Sequence, residues 1–174
     1  LKPARVHEVC GPAAWVFAAI HCGAGKGPAL WILESWQRER INPAGLKKFC
    51  DPGKVLIAEA KAPVDVRALA EEALRPGAVA TVVAESSQPL DLTAGRRLQL
   101  AAKAGGTLGI CVIPEGMGSN AAETRWRCQP QFDPSDSTHM RWELIKNKSG
   151  TLGIWTLRWD EQAHRIAVVS EAGK

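Results

Sequence analysis

Residues 5–20, with the sequence RVHEVCGPAAWVFAAI, decide the fold of this 174-residue chain. A short apolar strand is followed by a turn at Gly11 and Pro12, and a helix begins at once, since proline is tolerated in a first helical turn. In nucleotide-binding α/β proteins this junction holds the phosphate loop, where backbone N–H groups, a lysine and a hydroxyl bind phosphate. The consensus G-x-x-x-x-G-K-[ST], begun at Gly11, is not met at its last three positions, which hold Val16, Phe17 and Ala18. The stretch therefore predicts the architecture of a nucleotide site without its chemistry.

Strands and helices alternate as far as residue 113. Further apolar runs of strand length lie at 29–33, 55–58, 79–84 and 108–113. Helical patterns lie at 44–50, 63–75 and 93–104, with Thr93 predicted as an N-cap and Gly23 as the residue that ends the first helix. The segment GAGKGP at 23–28 follows a helix instead of preceding one, so it is interpreted as a connector. This order predicts an α/β fold with a mainly parallel sheet flanked by helices.

The pattern changes after Pro114. A glycine-containing loop at 115–120 precedes four strand patterns at 123–128, 141–147, 153–160 and 165–170, with no helical pattern between them. We therefore predict a single domain, 1–174, in which a parallel part, 1–113, is extended by antiparallel strands in 114–174.

Composition restricts the class of protein. The formal net charge is 22 − 18 = +4, which permits an acidic partner without requiring one. No apolar run has the roughly 18 residues of a membrane helix, so we expect a soluble protein with no membrane contact. Five scattered cysteines without a C-x-x-C pair indicate buried free thiols and a cytoplasmic location. The four histidines are far apart, so no metal site is expected, and the first residue, Leu1, indicates a fragment or a processed chain.

Four segments in colinear order resemble the RecA core. They are VHEVCGP with its helix, ALRPGAVATVVAES, GSNAAETRWR and ELIKNKSG. The stretches ALWILESWQRERINPAGL, TAGRRLQLAA, AAETRWR and LIKNKSG resemble more closely the ImuA family, RecA-like proteins of bacterial damage-induced mutagenesis that are related to SulA. The likeness covers nearly the whole chain, and it implies a RecA-like core.

The departures from RecA indicate a protein that is not an enzyme. Phe17 and Ala18 stand at the lysine and hydroxyl positions, and neither side chain can neutralise phosphate or bind Mg²⁺. By the same resemblance, Glu85 stands at the Walker B acid, Glu34 stands near the catalytic glutamate, and Ile113-Pro114 replaces the sensor glutamine. We therefore expect no ATP hydrolysis and no cofactor, and we expect Trp15 to fill the former nucleotide cavity.

Two short basic segments are candidate contacts for a partner or for nucleic acid. Lys146 and Lys148 resemble the paired lysines of RecA, and the alternative is a solvated strand end. Arg125 and Arg127 flank Trp126 in an arrangement suited to single-stranded bases or to an acidic surface. On an alternating strand, however, the tryptophan faces the core and both arginines face solvent.

The resemblance implies a non-catalytic adaptor in damage-induced mutagenesis and translesion synthesis. Its implied partners are an ImuB-type polymerase-like protein, an error-prone replicative-type polymerase and RecA, with direct DNA contact left open. The alternatives are a SulA-like inhibitor that binds the division GTPase, and a nucleotide switch that binds in a mode other than that of the phosphate loop.

Overall fold

A computed structural model describes residues 1–171 and contains one nine-stranded sheet with helices on both faces. The parallel part comprises β1 (Val6–Cys10), α1 (Ala14–Ala24), β2 (Ala29–Glu34), α2 (Pro43–Leu46), β3 (Val55–Ala60), α3 (Pro63–Leu74), β4 (Thr81–Glu85), α4 (Leu92–Gly105) and β5 (Leu108–Val112). The remaining strands are β6 (Thr124–Pro130), β7 (His139–Asn147), β8 (Gly153–Asp160) and β9 (Arg165–Glu171). The last three residues of the predicted domain lie outside the described part.

The sheet has the strand order β3-β2-β4-β5-β1-β6-β7-β8-β9. Neighbouring strands from β3 to β6 run parallel, and β6 to β9 are joined by antiparallel pairs. The predicted fold class, a mainly parallel α/β sheet with an antiparallel C-terminal extension, is confirmed. One detail differs, because β6 pairs in parallel with β1, Glu8 lying opposite Arg125. The parallel sheet therefore includes one strand from beyond residue 113.

Both faces of the sheet are covered, which explains the continuous apolar runs of the central strands. Helix α1 lies on one face against β1, β4, β5 and β6, and helices α3 and α4 lie on the other face. All five residues of β1 and of β4 are buried. The two edge strands, β3 and β9, have a neighbour on one side only.

The helix ends correct two predictions. Helix α4 is capped by Asp91, whose Oδ1 accepts a hydrogen bond from the Ala94 N–H at 2.7 Å, so Thr93 lies inside the first turn instead of capping it. Helix α1 runs to Ala24, past the predicted end at Gly23. A side chain at Gly23 would meet the carbonyl oxygen of Phe49, so glycine is needed there for close packing and not for a turn.

An aromatic cluster joins helix α1 to the C-terminal strands. Phe17 is fully buried, and its ring centroid lies 4.6 Å from that of Trp142 on β7 and 5.8 Å from that of Trp126 on β6. Trp126 in turn lies 5.8 Å from Trp155 on β8. The five cysteines are free and buried, as the sequence predicts.

This cluster predicts unequal effects for two phenylalanine truncations. Phe17→Ala should lower the free energy of unfolding by about 3–5 kcal/mol, because it leaves a cavity among packed rings. Phe132→Ala is the matched control, since Phe132 is 90% exposed and its loss should change stability by less than about 0.5 kcal/mol. Urea denaturation followed by tryptophan fluorescence measures both values, and equal losses would contradict the packing described for α1.

Candidate functional site

The connection between β1 and α1 is a turn of only three residues, Gly11–Ala13. Gly11 has φ +92°, and a Cβ atom there would lie 2.5 Å from the carbonyl oxygen of Cys128 on β6. The same oxygen accepts a hydrogen bond from the Ala13 N–H at 3.0 Å. The Cys128 carbonyl thus accepts a hydrogen bond from the Ala13 N–H. In phosphate loops, backbone N–H groups at this position point at the ligand.

The consensus positions for the lysine and the hydroxyl lie within helix α1. Phe17 and Ala18 are both fully buried. The Phe17 ring packs 4.4 Å from the imidazole of His21 and 4.6 Å from the indole of Trp142. Both positions therefore belong to the hydrophobic core.

Trp15 lies beside the turn, on the side of α1 that faces β2. Its ring meets Trp31 edge to face, with centroids 6.3 Å apart. Both indoles line an apolar cleft of about 290 Å³, which Ile41 and Leu46 also line. Trp15 therefore forms a wall of this cleft, and whether it fills a former nucleotide cavity stays a prediction.

The two predicted acids lie at the carboxyl ends of neighbouring strands but on opposite faces of the sheet. Glu34 follows Ile32 on the face covered by α3 and α4, and Glu85 follows Val83 on the face covered by α1. Glu34 is fully buried, and it accepts hydrogen bonds from the Ser87 N–H at 2.8 Å and the Ser87 hydroxyl at 2.9 Å. The two carboxyl groups therefore do not form a pair that acts on one ligand.

Glu85 is held by a tryptophan instead of by a cation. Its carboxyl group accepts a hydrogen bond from the Trp31 indole N–H. Burial raises the pKa of Glu85 to about 7, and the Trp31 hydrogen bond opposes this shift only in part. The Glu85 side chain therefore changes its charge near neutral pH.

A buried ion pair connects β1 to β6. Glu8 is 1% exposed, and its Oε2 lies 2.8 Å from Nε of Arg125. The other carboxylate oxygen accepts the Ser119 N–H at 2.8 Å, and Arg125 Nη2 donates to the Ser119 carbonyl at 3.0 Å. Glu8 and Arg125 thus fix the loop that precedes β6. Only the acidic residue inside an apolar strand, VHEVC, marked this site in the sequence.

The two predicted lysines hold the same loop. Lys148 Nζ donates to the Ala121 carbonyl at 2.7 Å, and Lys146 donates to the Ala122 carbonyl. The pKa of Lys146 is lowered by burial and by the nearby charges of Lys148 and Arg125. Three of the four predicted contact residues therefore come together, but around a segment of their own chain.

Arg127, the fourth predicted contact, is also engaged. Its Nε lies 2.5 Å from a carboxylate oxygen of Glu115, and its Nη1 lies 3.3 Å from one of Glu143. Trp126 faces the aromatic cluster, as the alternation predicts. The arginines beside it are ion-paired, however, so the prediction that both are simply solvated was wrong.

Two findings concern other kinds of site. Within residues 1–171, no group of three or more His, Cys, Asp or Glu residues is arranged to hold a metal ion. No helix in that same part of the chain is long and apolar enough to cross a membrane.

Strand order and turn geometry define the class: an α/β protein with a RecA-like core in which a short turn stands where a phosphate loop would lie. The sequence matches no protein-family profile. It is 31% identical over 189 residues to Protein ImuA of Caulobacter vibrioides, in strains NA1000 / CB15N and ATCC 19089 / CIP 103742 / CB 15. Each alignment covers 91% of this chain and 76% of the relative. The chain belongs to the ImuA family.

The pKa of Glu85 predicts how stability depends on pH. Because the folded-state pKa is about 7 and the ordinary value is 4.5, the folded state holds this proton more tightly. The free energy of unfolding should therefore fall as pH rises above 4.5, by up to about 3 kcal/mol, and the loss should be complete above pH 7. Glu85→Gln keeps an acceptor for Trp31 and should remove this loss.

Urea denaturation at several pH values between 5 and 8 measures the effect. Glu59→Gln is the control, because the Glu59 side chain is 50% exposed and pairs with Arg40 at the surface. The curve of this control should run parallel to that of the unmodified protein. A parallel curve for Glu85→Gln would contradict the assignment.

Proposed function

We propose that this protein is a non-catalytic adaptor in DNA damage-induced mutagenesis and translesion synthesis. It acts by contact with an ImuB-type polymerase-like protein and with RecA. The observation that carries the non-catalytic part is the turn at Gly11–Ala13, where the Cys128 carbonyl accepts the Ala13 N–H and core residues stand at the consensus positions. Phosphoryl transfer depends on positioned cations and a metal ion, and neither Phe17 nor Ala18 provides them.

Membership of the ImuA family supports the biological setting. By the resemblance given above, proteins of this family work in damage-induced mutagenesis beside a polymerase-like partner. A protein that lacks the chemistry of its fold and retains its shape is suited to docking on partners of the related fold. This part of the proposal rests on analogy between folds.

The sheet edge at β3 supports a contact surface. Strand β3 pairs with β2 on one side, so its other side offers backbone donors and acceptors to a further strand. Two of its apolar side chains are half exposed, Leu56 at 54% and Ile57 at 50%. Trp36, two residues after β2, and Val64, in the first turn of α3, are also exposed. We refer to Trp36, Leu56, Ile57 and Val64 as the β3 edge.

RecA filaments form when one subunit adds a strand to the core of its neighbour, so the β3 edge is suited to a contact of the same kind. Natural proteins protect open edges with charges, and here Glu59, paired with Arg40 at 3.3 Å, and Lys61 provide them. The exposed side chains of Leu56 and Ile57 precede these charges on the strand and offer an apolar contact. RecA or the ImuB-type protein would add a strand there.

A binding assay with purified partners tests the proposal. RecA and the ImuB-type protein are immobilised, and the chain should be retained by at least one of them. Leu56→Lys combined with Ile57→Lys should weaken retention at least tenfold, because it places two charges on the apolar edge. The control is Leu100→Lys, which changes a 65% exposed leucine on helix α4.

Each outcome has a defined meaning. If only the double variant loses binding, the β3 edge is the contact surface. If both variants bind equally, the contact lies elsewhere on the protein. The division GTPase is included as a third immobilised protein. Retention by that protein, with none by RecA or the ImuB-type protein, would favour the SulA-like alternative and overturn the proposal.

A further inference from the structure

A second cavity lies at the opposite end of helix α1 from the Gly11 turn, where the starts of β2 and β3 meet the turn between β8 and β9. It has a volume of about 610 Å³. Its walls come from the end of α1, residues 20–25, from the segment 49–52, and from the start of β9, residues 164–166. We call it the basal cavity. Its volume lies within the range of small-molecule sites, roughly 300–1,000 Å³.

Three cationic side chains line the basal cavity without an acidic partner. They are Lys47, Lys54 and Arg165, all exposed, and none of them has an ion pair with a carboxylate in residues 1–170. The one acidic lining residue, Asp51, accepts the Gly53 N–H at 2.9 Å. The formal charge of the lining is therefore 3 − 1 = +2 with its histidines neutral. By contrast, Arg125 and Arg127 are paired internally.

Aromatic rings form one wall. The rings of Phe49 and Trp159 lie 5.5 Å apart at 53°, and the indole N–H of Trp159 donates to the Lys48 carbonyl at 2.9 Å. This hydrogen bond fixes the orientation of the indole. His164 meets the same indole edge to face, with centroids 6.1 Å apart. Fixed aromatic surfaces beside cations are typical of sites where nucleobases stack and phosphates pair.

His21 adds a polar group inside the cavity. Burial lowers the pKa of His21 to about 4, so the imidazole is neutral at physiological pH. Its Nδ1 lies 2.8 Å from the Phe17 carbonyl, which accepts only, so Nδ1 carries the proton. The neutral ring therefore has Nε2 as an acceptor, which matches the exocyclic amino groups of bases.

We propose that the basal cavity binds a nucleotide unit, with its phosphate at Lys47, Lys54 and Arg165 and its base against the partly buried Phe49, which the buried Trp159 supports. The unit is either a free nucleotide or one nucleotide of a single strand, since both carry the same phosphate and base. Binding does not use Mg²⁺, because Asp51, the single acid in the lining, is held by its own backbone. The cavity lies at the far end of helix α1 from Gly11, and its aromatic wall, Phe49 and Trp159, also borders a neighbouring pocket at Pro12 and Ala13.

The test is a calorimetric titration of the full chain in EDTA with two probes, ADP and a pentamer of deoxythymidylate. At least one probe should bind, and Lys47→Glu combined with Arg165→Glu should weaken its binding at least tenfold. The matched control, Lys61→Glu combined with Lys103→Glu, makes the same charge change at exposed lysines away from the cavity and should alter binding less than twofold. Unchanged unfolding midpoints check that all variants fold.

The probes distinguish the source of the nucleotide unit. If ADP binds and the cavity variant loses that binding, the ligand is a free nucleotide. If only the pentamer binds, the ligand is one nucleotide of a single strand. The proposal is overturned if neither probe binds, or if the control variant weakens binding as much as the cavity variant. It is also overturned if binding appears only in a repeat titration with Mg²⁺ in place of EDTA and persists in the cavity variant. That last result would point to the Gly11 turn and contradict the proposed function as well.

Discussion

The hydrogen bond from the Ala13 N–H to the Cys128 carbonyl is the contact on which the rest of the structure depends. It joins the start of helix α1 to β6, and it requires glycine at position 11, where φ is +92° and a Cβ atom would meet the same carbonyl. A helix start has N–H groups without intrahelical acceptors, and in nucleotide-binding relatives of this fold a phosphate accepts some of them. Here the protein supplies an acceptor itself. The Cys128 carbonyl thereby joins the corner between β1 and α1 to β6.

The ion pair between Glu8 and Arg125 explains how the loop before β6 is held in place. A buried carboxylate costs several kcal/mol unless it is paired and hydrogen-bonded, and Glu8 has Arg125 and the Ser119 N–H as partners. With Lys146 and Lys148 holding the adjacent carbonyls, the loop before β6 is fixed to the sheet. Three of the predicted contact residues, Arg125, Lys146 and Lys148, thus stabilise this chain internally.

Much of the fold followed from local pattern, because buried strands and amphipathic helices differ in the period of their apolar residues. The direction of β6 did not follow, since a strand carries no local mark of whether its neighbour is parallel. Asp91 and Thr93 are both good N-cap residues two positions apart, and only the backbone geometry chooses Asp91. The basal cavity could not be predicted, because Lys47 and Lys54 approach Arg165 only where the segment around Phe49 packs against Trp159. The apolar side chains at the consensus positions, Phe17 and Ala18, were by contrast visible in the sequence alone.

Amide hydrogen exchange at Ala13, with and without Mg²⁺ and ATP, tests the central claim most directly. The Ala13 amide should exchange as slowly as those of the buried strands in the free protein, because the Cys128 carbonyl accepts it. Millimolar Mg²⁺–ATP should not change that rate, even if a nucleotide occupies the basal cavity at the far end of the helix. Rapid exchange in the free protein, followed by protection when Mg²⁺–ATP is added, would contradict the account, since the turn would then be an open phosphate site.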